Sequence, residues 1–309
     1  MDSIIITGAT SGIGYECALQ MATIAPNEQI IIAARDKARG EATVAKIAAR
    51  TGHRHIRFMQ LDLASLRSIE NFRDDIETEG IRISNLVNNA GSQSIGDRFT
   101  KDGFEETFGV NHLGTLYLTL LLSRSATNDA RIVFTASGTH DPKQKTGMPA
   151  PAFKDAFRLA HPQASGASDM ATGQRRYTTS KLCNILTVYE LQKRLKNTNI
   201  HVNAFDPGLV PGTGLTRTYG PFLKFLADYV FKILILFHPN VHTARTSGSR
   251  LANLAYGKLY INAKGKYFEG EKEIRSSEDS YKESYQEELW RSSLDLLNVK
   301  QSDTIVPLH

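Results

Sequence analysis

The chain has 309 residues, 41% hydrophobic and 22% charged, enough for a sizeable core in one large domain or two. Its net charge of +5 comes from scattered Lys and Arg, which excludes the concentrated basic face that nucleic acid wants. Two distant cysteines, Cys17 and Cys183, make neither a disulfide framework nor a zinc spacing. No stretch is apolar enough for a membrane span, and no secretory signal opens the chain, so a reducing, cytoplasmic setting is expected.

In chain order, Ile4–Ile6 reads as a buried strand. It runs into Thr7-Gly8-Ala9-Thr10-Ser11-Gly12-Ile13-Gly14, and a helix follows over Gly14–Ala25. A glycine-rich turn between strand and helix lets backbone N–H groups approach a pyrophosphate at the positive end of the helix. Gly8, Thr10, Ser11, Gly12, Ile13 and Gly14 are therefore assigned to a dinucleotide. A second strand, Gln29–Ala34, ends at Arg35. A site for NAD would place a carboxylate near this point for the ribose 2′-hydroxyl, whereas Arg35 suits a 2′-phosphate, so NADP(H) is the expected cofactor. Asp36 is expected to cap the helix over Lys37–Ala49.

Strands over Ile56–Leu61, Leu86–Val87, Arg131–Thr135 and His201–Phe205 alternate with helices over Leu66–Glu79, Phe104–Leu122 and Ser180–Leu195. Such alternation, with nearly continuous apolar strands, predicts a doubly wound α/β fold: a parallel sheet covered on both faces. We expect one domain over 1–309. An irregular insert occupies 138–176 and a substrate-lid region 209–242. A last strand is expected near Lys266–Phe268, then an amphipathic helix over Ser280–Leu297 with Tyr281, Tyr285 and Leu289 on one stripe.

Tyr177-Thr178-Thr179-Ser180-Lys181 puts a phenol and an ammonium one helical turn apart, on one face. A neighbouring cation favours phenolate, so the pair reads as a tuned general acid/base. His53 and His55 read as surface residues around a strand start, and the nine histidines show no metal-ligand grouping, so no metal is expected. In Phe222–Phe237, Lys224, Asp228 and Lys232 form one polar stripe on an otherwise apolar helix. Three readings stay open for it: core or oligomer packing, a substrate lid, or peripheral membrane contact through 221–237. The last two imply a lipophilic substrate.

Together these motifs resemble the short-chain dehydrogenase/reductase family over about residues 3 to 270. Thr7–Gly14 matches its glycine motif, Asp62-Leu63 its adenine-contacting pair, and Asn88-Asn89-Ala90-Gly91 the motif that closes the fourth strand. Asn111, Ser137, Tyr177 and Lys181 match its catalytic positions, and Pro207-Gly208 its turn after the sixth strand. The resemblance implies that Ser137 holds a substrate oxygen, Tyr177 passes a proton to it, and Lys181 lowers the tyrosine pKa and binds the nicotinamide ribose. Asn111 would support a water in a proton relay. It adds Asp62, Leu63, Asn89, Ala90, Gly91, Pro207, Gly208, Val210 and Thr213 to the cofactor set. Lys181–Thr187, the insert before Tyr177 and Pro207–Leu215 are similar to the light-dependent protochlorophyllide reductase and retinol-dehydrogenase-like branches. Leu209 stands where the photoenzymes carry a cysteine, which argues against photoreduction. The implied activity is NADP(H)-dependent interconversion of a carbonyl and an alcohol on a lipophilic small molecule. C=C reduction, or a non-catalytic NADP-binding scaffold, is the alternative. Homo-oligomerisation stays open, since many relatives pair through the Tyr/Lys helix.

Overall fold

The computed structural model describes residues 1–163, 170–210 and 241–309. Eight strands form one sheet in the order β3-β2-β1-β4-β5-β6-β7-β8. They are β1 (Ser3–Thr7), β2 (Gln29–Ala34), β3 (Ile56–Gln60), β4 (Ile83–Asn88), β5 (Ala126–Thr135), β6 (His201–Asp206), β7 (Tyr267–Glu269) and β8 (Lys272–Glu273). All pairings are parallel except the terminal β7–β8 hairpin. The expected α/β, doubly wound sheet is thus observed.

Side-chain alternation on the strands feeds two cores. Ile4 and Ile6 of β1 point to one face, where they meet α1 (Gly12–Ile24), α2 (Lys37–Thr51) and a later helix over Ala244–Tyr256. Ile5 points to the other, against α3 (Leu66–Thr78), α4 (Glu106–Phe108), α5 (Thr115–Leu122), α6 (Ala156–Ala160) and α7 (Met170–Arg194). The helix over Ala244–Tyr256 is α8, and α9 (Glu283–Leu297) closes the second core with Leu289 and Trp290. At Gly248 on α8 a β-carbon would lie 2.7 Å from the Cys17 nitrogen, so the α1–α8 contact is nearly backbone to backbone.

Several expectations shift. The helix expected over Phe104–Leu122 is divided. Glu105 accepts from the N–H groups of Thr107 and Phe108 at 3.0 and 2.8 Å, which starts α4 after Phe104, and a π-helical stretch over Gly109–Gly114 separates α4 from α5. The helix carrying Tyr177 begins at Met170, ten positions before the expected Ser180, so the insert is partly helical. Polar Thr, Gln and Arg there mask the periodicity, since Gly173 and Tyr177 are buried by tertiary contact. His53 is not a surface residue. It is 6% exposed, with Nε2 3.2 Å from the Ala25 carbonyl oxygen at the end of α1. Of the expected stripe, Leu289 is buried and Tyr285 stacks on Phe153, but the helix starts at Glu283, so Tyr281 lies before it, exposed and stacked on Tyr189. Thr213 and the Phe222–Phe237 segment lie outside the described residues. Among the described residues no helix is long and apolar enough to cross a membrane.

Candidate active site

The candidate residues gather at the C-terminal edge of the parallel sheet, where open α/β sheets bind ligands. β1 ends at Thr7, whose hydroxyl accepts from the N–H groups of Asn89 and Ala90, each at 3.0 Å. Asn89 Nδ2 donates to the carbonyls of Thr7 and Gly8 at 3.1 and 3.3 Å. The Asn89 side chain thus braces the glycine turn. Gly8 has φ +66°, and a β-carbon there would sit 2.8 Å from Ala90 Cα. The first turn of α1 carries no acidic residue, Ser11 is exposed, and Gly12 and Ile13 are half-buried. This leaves a helix N-terminus with space for an anion.

At the end of β2, Asp36 accepts from Arg39 N–H at 3.0 Å, so its carboxylate is used as a helix cap. Arg35 is exposed beside it. Asp62 is held from two sides, by Ala64 N–H at 3.1 Å and Lys101 Nζ at 3.2 Å, and Leu63 is buried. Gly91 lies against Asn111 and Lys181: a β-carbon built on it would be 3.3 Å from Asn111 Oδ1 and 3.6 Å from Lys181 Nζ.

Asn111 sits in the π-helical stretch, 1% exposed. Its Nδ2 donates to the Ser92 carbonyl and to Ser180 Oγ, both at 2.9 Å, and its Oδ1 accepts from Ser92 N–H at 2.7 Å. Its side chain thus ties α7 to the loop after β4. Single π turns of this kind recur at functional sites. The next residue, His112, is buried between α7 and α9, with Nε2 2.8 Å from Ser293 Oγ and Nδ1 3.4 Å from Thr187 Oγ1. Burial holds its pKa down at about 3. A folded value below the ordinary one means the unfolded chain binds the extra proton. Stability is therefore full above about pH 6.5 and declines from there toward pH 3, by about 1.4 kcal/mol per unit through this residue. Urea midpoints at about pH 7.5 and pH 5 should fall apart in the wild type and converge in His112→Asn. Equal spacing in both would remove His112 as the cause.

Ser137 follows β5, Tyr177 and Lys181 lie on α7, and Pro207-Gly208 follows β6. Ser137 Oγ accepts from Thr139 N–H and Oγ1 at 3.3 and 3.1 Å and faces the Tyr177 hydroxyl. Lys181 Nζ lies 5.5 Å from the centre of the Tyr177 ring and donates to the Thr135 carbonyl at 2.8 Å. Both residues are buried, at 6% and 3% exposure. Burial acts against the expected tuning. Burial pushes the phenol well above its ordinary range, the Asp206 carboxylate adds to this, and Ser137 opposes it. Burial lowers Lys181 to about 8, with Asp206 opposing. Desolvation penalises both charged forms, so proximity to Lys181 does not by itself give a phenolate.

Two residues at this site were missed in the sequence. Asp206, which precedes Pro207, is 1% exposed. It accepts from Tyr267 Oη on Oδ2 and from Gly208 N–H on Oδ1, both at 2.9 Å. An acid directly before the Pro-Gly turn at a strand end was the available signal. His140 had none, because its partners are remote. Its Nε2 accepts from Ser277 N–H at 3.0 Å, so Nδ1 carries the proton and donates to the Ser137 carbonyl at 2.7 Å. Beyond the turn, Val210 is buried, Leu209 is about half exposed, and Ser247 Oγ donates to the Pro207 carbonyl at 2.7 Å. A cavity of about 470 Å³ between Ile76, Ile81, Arg124 and Ile305 opens at the opposite edge of the sheet, away from all these groups. No group of three or more His, Cys, Asp or Glu is placed to hold a metal among the described residues.

Residues 2–156 match the family model described as short chain dehydrogenase. Human retinol dehydrogenase 13 is 32% identical over 304 residues, covering 96% of this chain and 85% of that protein. Human polyprenol dehydrogenase is 32% identical over 306 residues, with 96% and 84% covered. Among solved structures, an uncharacterised protein from Mycobacterium paratuberculosis superposes with a TM-score of 0.70 at 25% identity, covering 97% of this chain and 94% of the other. A short chain dehydrogenase from Burkholderia cenocepacia J2315, solved in complex with NADP, shares the fold at a TM-score of 0.62 and 24% identity, with 86% and 95% covered.

Proposed function

Since this chain belongs to the short-chain dehydrogenase family, we propose that it is an NADP(H)-dependent oxidoreductase interconverting a carbonyl and an alcohol on a lipophilic small molecule. The observation that carries the reading is the meeting of Ser137, Tyr177 and Lys181 at one sheet edge, beside the Pro207-Gly208 turn and across from the Gly8–Gly14 turn. The cradle suits a dinucleotide: Gly8, at φ +66°, packs directly against Ala90 in the turn that leads to α1, and the N-terminus of α1 carries no acid of its own. Arg35, with Asp36 turned to its cap, suits a 2′-phosphate. A bound nicotinamide supplies hydride.

The chain supplies the rest. Ser137 holds the substrate oxygen. Tyr177 gives it a proton in reduction and takes one in oxidation. Lys181 offsets the charge left on the phenol oxygen and binds the nicotinamide ribose. Asn111 holds the Ser92 loop against α7. The lipophilic class is supported by the relatives, two of which are named for retinol and polyprenol.

Fluorescence titrations with NADPH and NADH test the cofactor end. Arg35→Ala should weaken NADPH about 10- to 100-fold, the loss of one charge-assisted contact, and leave NADH nearly unchanged. Tighter NADH than NADPH in the wild type would overturn the preference. A panel of apolar aldehydes and ketones against polar ones then tests the substrate class through kcat/KM.

A further inference from the structure

We infer that His140 is a positioning residue: its ring Nδ1–H fixes the backbone of Ser137, and the Ser277 amide holds the ring in the tautomer that does so. This rests on the oxidoreductase reading above.

Ser137 is the first residue beyond the hold of the sheet. β5 ends at Thr135, and the ladder closes one residue later, where Ala136 N–H donates to the Phe205 carbonyl at 2.7 Å. Past this point the direction of the Ser137 hydroxyl depends on how its own peptide is held. Its carbonyl takes two donors, both from His140: the backbone N–H at 3.1 Å and the ring Nδ1–H at 2.7 Å. His140 is 1% exposed, so water does not compete for either ring nitrogen, and the ring packs on Tyr267 of β7 at 5.0 Å.

The other ring nitrogen settles where the proton sits. Ser277 N–H can only donate, and it reaches Nε2 at 3.0 Å, so Nε2 is bare and Nδ1 carries the hydrogen. Ser277, which opens the turn over Glu278–Tyr281, is buried and held from two helices. Its carbonyl accepts from Ser280 Oγ at 2.6 Å, Ser280 Oγ meets Ser276 Oγ at 2.7 Å, and Ser276 Oγ meets Tyr189 Oη of α7 at 2.6 Å. Gln286 of α9 donates to the Ser280 carbonyl at 2.8 Å. A turn remote in sequence therefore aims one N–H at the imidazole, and the imidazole aims one N–H at the Ser137 peptide. A serine that holds a substrate oxygen must present its hydroxyl at a fixed place, since a misplacement of about 1 Å costs about 100-fold in rate.

Two variants separate the two ring nitrogens. In His140→Asn the amide nitrogen stands one bond from Cγ, as Nδ1 does, and can donate to the Ser137 carbonyl, while the contact with Ser277 is lost. In His140→Gln the amide oxygen reaches the Nε2 position and can accept from Ser277 N–H, while the donor to Ser137 is lost. Steady-state kinetics over the carbonyl panel, with thermal melts and NADPH titrations, give the readout. His140→Gln should lower kcat by about 10- to 100-fold, with NADPH affinity within about threefold of the wild type. His140→Asn should recover most of that loss, although Asn fills less of the buried space. In a Ser137→Ala background, His140→Gln should add less than about a threefold loss, because it acts through the serine. Packing alone, or the Ser277 contact alone, predicts the opposite order, so a His140→Asn slower than His140→Gln overturns the proposal. So does a full additional loss in the Ser137→Ala background. Should either variant misfold, spectra of wild-type protein labelled with nitrogen-15 histidine decide. The ring identified by its contacts with Tyr267 must carry its proton on Nδ1, and a proton on Nε2 overturns the proposal. Absence of turnover on every substrate overturns the oxidoreductase reading and this role with it, whereas an active enzyme with the wrong order of variants overturns this role alone.

Discussion

Tyr177→Phe should lower carbonyl turnover by about 10²- to 10⁴-fold, the range expected when a positioned acid/base group is lost. The ring fills the same buried space, so the fold and the packing of α7 persist. Ser137 keeps its N–H contact from Thr139, and Lys181 keeps the Thr135 carbonyl. NADPH affinity should therefore change little, and the loss should fall in kcat. Lys181→Met should resemble it in rate but also weaken nucleotide binding, because the ammonium has two roles. Steady-state kinetics beside a fluorescence titration separate these outcomes. Substantial activity in Tyr177→Phe would take proton transfer away from this residue and leave Ser137 or a solvent molecule as the donor.

Gly8→Val should abolish measurable NADPH binding. At φ +66° an L side chain is strained, and here its first carbon would also press to 2.8 Å from Ala90 Cα. The strain costs about 1–3 kcal/mol, and relief requires the turn to part from the Asn89-Ala90 segment that braces it. The N-terminus of α1 then no longer meets a pyrophosphate at the required distance. Gly52→Val is the matched control. It has φ +72° but nothing within 4 Å of its β-carbon position, so it should lose stability while binding NADPH as the wild type does. Thermal melts and titrations on both variants check this, and wild-type NADPH affinity in Gly8→Val would show that the turn is not the phosphate cradle.

The cofactor half was legible in the sequence because its signals are local. A buried strand, a glycine turn and a helix follow one another within Ser3–Ile24, and the end of β2 reads directly as Arg35 with a capping Asp36. The alternation of apolar strands and helices likewise determined the α/β class, since period and order survive without knowledge of contacts. Tyr177 and Lys181 could be paired by helical spacing alone. What the sequence could not carry is the environment of that pair. Its electrostatics depend on a carboxylate 29 positions after Tyr177 on another strand, on how completely water is excluded, and on Tyr267 and His140 brought in from further still. The early start of α7 and the π-helical stretch that carries Asn111 escaped for the same reason. Local propensity is a weak prior, and tertiary packing decided both: Gly173 and Arg176 of α7 meet the loop at Ser94–Asp97, and Leu113 of the π-helical stretch is buried in the core. Sequence by itself determined which chemistry-bearing residues exist and in what order. Only the tertiary structure decided which of them share a low-dielectric pocket, because charge interactions and desolvation follow distance in space and not separation along the chain.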